Sequence, residues 1–244
     1  RSAGVSDSSQ GPGWWQASDG KWYPPEQAPG YQAGDQGAGS PASGGTDIGS
    51  TLSYAWNKFI QNIGEWIVLW LVLVAVTIVF AVISAVAVAG ASFSSFRFNF
   101  LGIIIGLLGG AVAGVLYVAI AKGANMALNG QKVDVAAAFK LTSNNIIAGV
   151  IFGLIFGLLN YFCFLFGIAA WLFLGFLPLL SAMDDKGADA LGESVNLSTS
   201  HASEAMLFWL IGWFIGGVTC GIGAPIAMLG GGYLVKRYRG EAVA

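Results

Sequence analysis

The sequence predicts an all-α membrane protein: about six transmembrane helices in three hairpins, each hairpin preceded by an amphipathic interfacial helix, behind a disordered N-terminal tail. Two observations carry most of that expectation. The 244-residue chain is 55% hydrophobic and only 10% charged, against roughly 25% charged residues in soluble domains. The charges also avoid long stretches. Arg97 is the only charged residue between Trp66 and Ala121, and none occurs from Leu141 to Met183 or from Ala205 to Val235. Each stretch exceeds the ~20 apolar residues that a helix needs to cross a hydrocarbon core of ~30 Å.

The formal charge of -2 gives no basis for a nucleic-acid partner, and the longest basic cluster is Lys236-Arg237-Tyr238-Arg239. Cys163 and Cys220 both lie within apolar stretches and read as free buried thiols rather than a disulfide framework. The N-terminus lacks an apolar signal-peptide core, so the first span is expected to act as an uncleaved insertion signal.

Residues 1–46 differ in composition from the rest, being rich in Gly, Ser, Gln, Ala and Pro, and read as a flexible cytoplasmic tail. One island, 13–25, runs GWWQASDGKWYPP. Asp19-Gly20 is a two-residue hairpin signal flanked by aromatic residues able to pair across strands. Trp14, Trp15, Trp22 and Tyr23 are the candidate partner-binding residues.

An amphipathic interfacial helix is expected over 47–64. Ile48, Leu52, Ala55, Trp56, Phe59, Ile60 and Ile63 share one helical face, directly ahead of the first span. The transmembrane domain occupies 65–239, with helices at about 66–89, 101–121, 146–162, 165–183, 205–220 and 223–237. The last two are short and separated by Cys220-Gly221-Ile222-Gly223-Ala224-Pro225, where Gly and Pro weaken a helix; they either span or form a re-entrant pair. With six helices, every Lys and every Arg but Arg97 falls on one side, and the positive-inside rule makes that side cytoplasmic, together with both termini. A weak threefold repeat agrees: segments starting at Asp47, Asp134 and Asp189 each precede a hairpin.

The helix-packing candidates are Gly102, Gly106, Gly110 and Gly114 on the second span, Gly149, Gly153 and Gly157 on the third, and Gly212 and Gly216 on the fifth. Small residues at a spacing of four let backbones approach closely in lipid, as in a glycine zipper. No ionisable residue is expected at membrane depth, which argues against a proton relay. His201 stands beside Ser200, Ser203 and Glu204, but the sequence supplies neither an orienting partner nor an oxyanion site. Asp184, Asp185, Asp189 and Glu193 have the chemistry to attract a divalent cation, although helix capping and solvation is the commoner use. Trp66, Trp70, Trp209 and Trp213 are expected in an interfacial aromatic belt. No catalytic, cofactor-binding or metal-binding residue is assigned.

From about Asp47 onward the chain resembles actinobacterial proline- and glycine-rich integral membrane proteins. The matching pieces are LSYAWNKF (52–59), NGQKVDV (129–135), LSAMDD (180–185) and CGIGAP (220–225), followed by Tyr233 to Arg239. It is more distantly similar to the membrane domain of some glycerophosphodiester phosphodiesterases, and the 14–25 segment resembles a tryptophan-rich motif of actinobacterial membrane proteins. The resemblance implies a plasma-membrane location and no established activity; no phosphodiesterase domain is present to carry that chemistry over. The expected function is a non-enzymatic accessory or scaffold in the cell envelope, with membrane lipids and a homo-oligomer or membrane complex as partners. The alternative is a passive transporter or channel subunit for a small or lipidic solute.

Overall fold

The computed structural model describes residues 15–17, 19–23, 48–89, 100–162, 164–219 and 221–243. Trp14, the tail beyond Tyr23, the 90–99 connection, Cys163 and Cys220 lie outside these residues. The chain forms two units, residues 1–42 and 43–244. The first contains a two-stranded antiparallel hairpin, β1 (Trp15–Gln16) and β2 (Trp22–Tyr23), with Trp15 opposite Tyr23 and Gln16 opposite Trp22.

The second unit is helical: α1 (Ile48–Gln61), α2 (Ile63–Ala89), α3 (Phe100–Leu128), α4 (Val135–Ala138), α5 (Ser143–Phe162), α6 (Phe164–Leu174), α7 (Leu177–Asp184), α8 (Asp189–Ser200), α9 (Ala202–Val218) and α10 (Ala224–Tyr238). Three helical stretches are long and apolar enough to cross a membrane: Ile63–Val86, Gly102–Leu128 and Leu165–Asp184. About 11% and 22% of the first two lie buried inside the bundle against 61% of the third, and other helices expose apolar side chains too. Ile78, Val82 and Val86 on α2, Ile104 and Leu108 on α3, Leu165 on α6 and Phe214 on α9 are all exposed, Val86 at 68%. Water does not tolerate a continuous apolar surface of this kind on a monomer; lipid does.

α3 is the axis. α2 lies antiparallel along it in one constant register: a β-carbon on Gly123 would sit 3.0 Å from the Trp66 ring, and one on Gly109 would sit 3.0 Å from Phe80. On its other side α3 meets α5 backbone to backbone. A β-carbon on Gly114 would fall 2.0 Å from the Gly149 carbonyl oxygen, and one on Gly153 would fall 1.9 Å from that of Gly110. Such closeness permits Cα–H···O contacts worth about 0.5–1 kcal/mol each.

Two details depart from the sequence-based expectation. The 165–183 helix is interrupted: α6 ends at Leu174 and α7 begins at Leu177, with Pro178 in its first turn. Pro178 has no N–H to give the Leu174 carbonyl, and its ring crowds that turn. At this kink the Phe173 carbonyl accepts from Ser194 Oγ (3.0 Å) and Ser198 Oγ (3.3 Å) of α8. The surface helix ahead of the second hairpin is a single turn, α4, capped by Asp134 Oδ1 accepting from Ala137 N at 3.1 Å. It stops there because Thr142 and Asn145 cap a new helix reciprocally: Asn145 N donates to Thr142 Oγ1 (3.1 Å) and Thr142 N to Asn145 Oδ1 (3.3 Å).

α1 buries Thr51, Ala55 and Phe59, while Trp56 and Ile60 of its apolar face, and Ile63 at the start of α2, stay exposed. Its Tyr54 ring lies 4.8 Å from that of Tyr233 on α10. Trp66 and Trp209, expected in an interfacial belt, are instead fully buried core residues. Glycines make room for both: Gly123 for Trp66, and Gly175 and Gly231 for Trp209.

α9 and α10 form an antiparallel hairpin, closed at its base by Arg237 Nη1 to Glu204 Oε1 at 3.1 Å. Its turn uses Gly221 at φ +85°, and Thr219 Oγ1 accepts from Gly223 N at 3.0 Å. A β-carbon on Gly221 would lie 3.5 Å from Trp70 Nε1, so the hairpin tip sits beside the second turn of α2. At 17 and 15 residues, α9 and α10 are about 25 and 22 Å long.

Alanine at Gly114 or Gly153 is expected to cost about 1–3 kcal/mol, because backbone must move to admit the methyl. Alanine at Gly106 or Gly216, where a β-carbon meets nothing within 4 Å, is expected to change stability by less than about 0.5 kcal/mol. Thermal unfolding of the detergent-solubilised chain distinguishes the two pairs; equal shifts would contradict the seam.

Candidate functional site

The titratable residues gather at one end of the bundle, where α3, α7 and α10 end and α9 begins. Lys236 on α10 is only 6% exposed. Its ammonium donates to the Leu128 carbonyl (3.3 Å), Asn129 Oδ1 (2.7 Å) and the Ala242 carbonyl (3.4 Å). The last carbonyls of α3 carry its negative dipole end, which stabilises the buried cation. Glu204, equally buried at 7%, is paired with Arg237.

Beside them lies an ionic cluster of five residues, in which Arg239 also meets Glu241 at 3.7 Å. Arg239 holds Asp184 and Glu193, each at 2.6 Å, and Lys186 bonds Glu193 and, at 3.1 Å, Asp184. Burial pushes the Glu193 carboxyl up, but the hydrogen bonds from Lys186 and Arg239 outweigh it and hold it below the usual range. The bond to Glu193 raises the Lys186 ammonium, against a smaller opposing effect of burial. Of the carboxylates weighed as a cation site, Asp184 and Glu193 are thus engaged by cations of the chain itself. Asp185 adopts φ 53°, and its carbonyl accepts from Asn144 Nδ2 at 2.8 Å. Among the described residues, no His, Cys, Asp or Glu group is arranged to hold a metal.

His201 stacks on Tyr238, ring centroids 3.8 Å apart and nearly parallel, with Nδ1 3.1 Å from Ser200 Oγ. The neighbouring carboxylate, Glu204, is bound by Arg237 instead of orienting the imidazole. Among the described residues, no carboxylate is shown bonded to this imidazole.

The nine candidate packing glycines behave differently from one another. Gly110, Gly114, Gly149 and Gly153 form the α3–α5 seam, with Gly157 at its edge, 3.8 Å from the Gly110 Cα by its β-carbon position. Gly212 faces Ala227 of α10 at 3.2 Å. Gly106 and Gly216 face open space, and Gly102 is half-buried near the start of α3. Close contacts also occur at glycines that no fourfold spacing marks. Gly175 and Gly231 lie against Trp209, Gly230 against Phe208 and Gly232 against Leu128. The Gly230-Gly231-Gly232 run was the available signal: three glycines within a helix otherwise weaken it, unless backbone must pass close to something.

Beyond the seam, the centre of the bundle is filled with aromatic rings. Tyr117 packs edge-on to Phe152 (5.8 Å) and Trp171 (5.6 Å), and Trp171 to Trp209 (5.5 Å), with Trp171 Nε1 donating to the Trp209 carbonyl at 3.1 Å. Each such pair contributes about 0.5–1.5 kcal/mol beyond area burial.

In the separate N-terminal unit, the hairpin connection is three residues rather than two. Ala17 N donates to the Lys21 carbonyl (3.0 Å), Gly20 N to the Ala17 carbonyl (3.0 Å), and Gly20 takes φ +78°. Asp19 locks it, accepting from Lys21 N (3.0 Å) and from the Tyr23 hydroxyl (2.6 Å). Trp22 and Tyr23 are half-buried on β2; Trp15 lies on β1, and Trp14 is outside the described residues.

The ionic cluster makes the C-terminal tail pH-sensitive. Because the Glu193 carboxyl is depressed, its contribution is present above the unfolded carboxylate pKa and lost as pH falls through the folded one. Lys186, raised, contributes below its unfolded value and loses that contribution as pH rises through the folded one. Carboxypeptidase trimming after Arg239 is expected to accelerate in the wild type only as pH falls below the ordinary carboxylate range, through the depressed Glu193 value. Glu193→Gln should already be trimmed faster at pH 7, with a weaker acid response; an unchanged profile would contradict the clamp.

No protein-family model, no curated protein and no solved structure matches this chain.

Proposed function

We propose that this chain is a multi-pass bacterial plasma-membrane protein with both termini in the cytoplasm, acting as a non-enzymatic accessory or scaffold component of the cell envelope. The resemblance to actinobacterial proline- and glycine-rich membrane proteins and the basic residues gathered at one end support the location and orientation. Of the six expected spans, α2, α3, α5 and the kinked α6–α7 cross in this reading. α9–α10 enters from the cytoplasmic side and turns back at the level of Trp70. A re-entrant hairpin leaves both termini on the same side as six full spans would.

The observation that carries the scaffold reading is how the centre is filled. Glycine backbones in contact between α3 and α5, continued by the Tyr117–Phe152–Trp171–Trp209 ring chain, leave this seam no room for a water-filled path. With four of the nine candidate glycines used inside one chain, self-association falls to other surfaces. The exposed α2 face and the N-terminal aromatic hairpin are two such surfaces.

Purification from cross-linked membranes of the full chain and of a form lacking residues 1–46 tests this reading. The full chain is expected as an oligomer or with a co-purifying membrane partner, and the deletion is expected to lose that partner while still inserting. A strict monomer whose partners do not change on deletion would overturn the scaffold role.

A further inference from the structure

On the far side of Trp70 from the polar end, the bundle thins, and a groove of about 320 Å³ opens between α2, α3 and α5. Phe80, Ile105 and Phe156 form its walls, and the glycine backbones of α3 and α5 form its floor. Tyr117 closes it at the inner end. The lining is otherwise apolar, but three hydroxyls line it too: Thr77, Ser84 and Tyr117. Thr77 Oγ1 donates to its own helix at Leu73, 2.8 Å away. The Ser84 and Tyr117 hydroxyls have no hydrogen-bond partner among the described residues and are open to the groove. A hydroxyl left unpaired in apolar surroundings costs about 1–3 kcal/mol, so the groove favours an occupant that brings an acceptor along with its apolar body.

Size and position narrow that occupant. The exposed side chains flanking the groove, Ile78, Val82, Ile104 and Leu108, belong to the surface that faces lipid if the chain is embedded. By the α2–α3 register, Ser84 lies near the outer end and Tyr117 about 18 Å further in. A helix of about 10 Å diameter does not enter a groove of this size and seats only side chains in it. A single hydrocarbon chain is long, thin and apolar. Ser84 lies five residues, about 7–8 Å, before the end of α2 at Ala89, and because this 27-residue helix is longer than a hydrocarbon core of ~30 Å, its hydroxyl falls near the outer margin of that core in the membrane reading.

We propose that this groove binds one acyl chain of a membrane glycerolipid, its ester carbonyl accepting from Ser84 Oγ and its chain running along the glycine floor towards Tyr117. The inference rests on the membrane reading above and adds a specific lipid site to it. Gly106 is the position at which the site is blocked without disturbing the fold: a β-carbon there meets nothing within 4 Å, yet the residue lines the groove.

The test uses the full chain in vesicles of phosphatidylglycerol doped with the same lipid carrying a mid-chain diazirine, cross-linked by light and mapped by mass spectrometry. Adducts are expected to concentrate on the peptides containing Phe80, Ile105 and Phe156. Gly106→Leu should lower their yield at least about fivefold, and Ser84→Ala about threefold. Gly216→Leu, at an equally open position on α9 away from the groove, should leave them unchanged. Adducts spread evenly over the exposed apolar residues and indifferent to Gly106→Leu would mean annular lipid only and overturn the site. Chain-to-chain cross-links through the groove would overturn it in favour of a second copy. If Gly106→Leu aggregates, the Ser84→Ala response decides. Wild-type membranes are washed with alkali in parallel: release of the chain would sink the membrane reading and the site together, whereas retention with no groove labelling sinks the site alone.

Discussion

The contact on which the rest of the bundle depends is the meeting of α3 and α5 through the backbones of Gly110, Gly114, Gly149 and Gly153. Between helices in lipid the hydrophobic effect offers little drive, so association rests on how closely atoms can pack. Once these four residues have no side chains, α5 is held against the α3 axis and its register is set. That register brings Phe152 and Phe156 to the side of Tyr117 and Trp171 and so builds the aromatic centre. α2 reads the opposite side of α3 through a second pair of glycines, Gly109 and Gly123, which admit Phe80 and Trp66.

The two ends of the bundle are unequal. At the polar end α1, α7, α8, α9 and α10 surround the last turns of α3, and the core is deep enough to bury Trp66, Trp209 and Phe176 completely. Burial there extends to charge. Lys236 is held by the carbonyls that end α3, and Glu204 by Arg237, so each buried ion has a partner whose removal would leave it uncompensated. The far end consists of fewer helices with exposed apolar sides, and the groove between α2, α3 and α5 lies where this thinner part begins.

Much of this was legible in the sequence. Charge-free stretches locate α2, α3, α5 and α6–α7, because no other solvent than lipid suits twenty apolar residues in a row. Glycines spaced by four marked the α3–α5 seam, since that period puts them on one helical face. Other features were hidden. The kink at Pro178 was masked by the continuous apolar run on both sides of it, and the shortness of α4 by the apolar residues after Asp134. Trp66 and Trp209 read as interfacial because composition reports the depth of a residue and not which way its ring points. Which glycines face a neighbour and which face open space, as Gly106 and Gly216 do, depends on helix rotation, and a fourfold spacing does not fix rotation.

Side-specific labelling of single cysteines, in a background with Cys163 and Cys220 replaced by alanine, tests most directly whether the chain is an embedded bundle with a short α9–α10 hairpin. Positions Ser95, Ala136 and Ile222 report, in turn, the α2–α3 connection, the α4 region and the hairpin tip. Such a bundle predicts that Ser95→Cys reacts with an impermeant maleimide in intact cells, that Ala136→Cys reacts only after permeabilisation, and that Ile222→Cys stays unreactive from outside. Labelling of Ser95→Cys and Ala136→Cys from the same side would contradict the membrane-spanning arrangement, and outside labelling of Ile222→Cys as fast as Ser95→Cys would contradict the re-entrant hairpin.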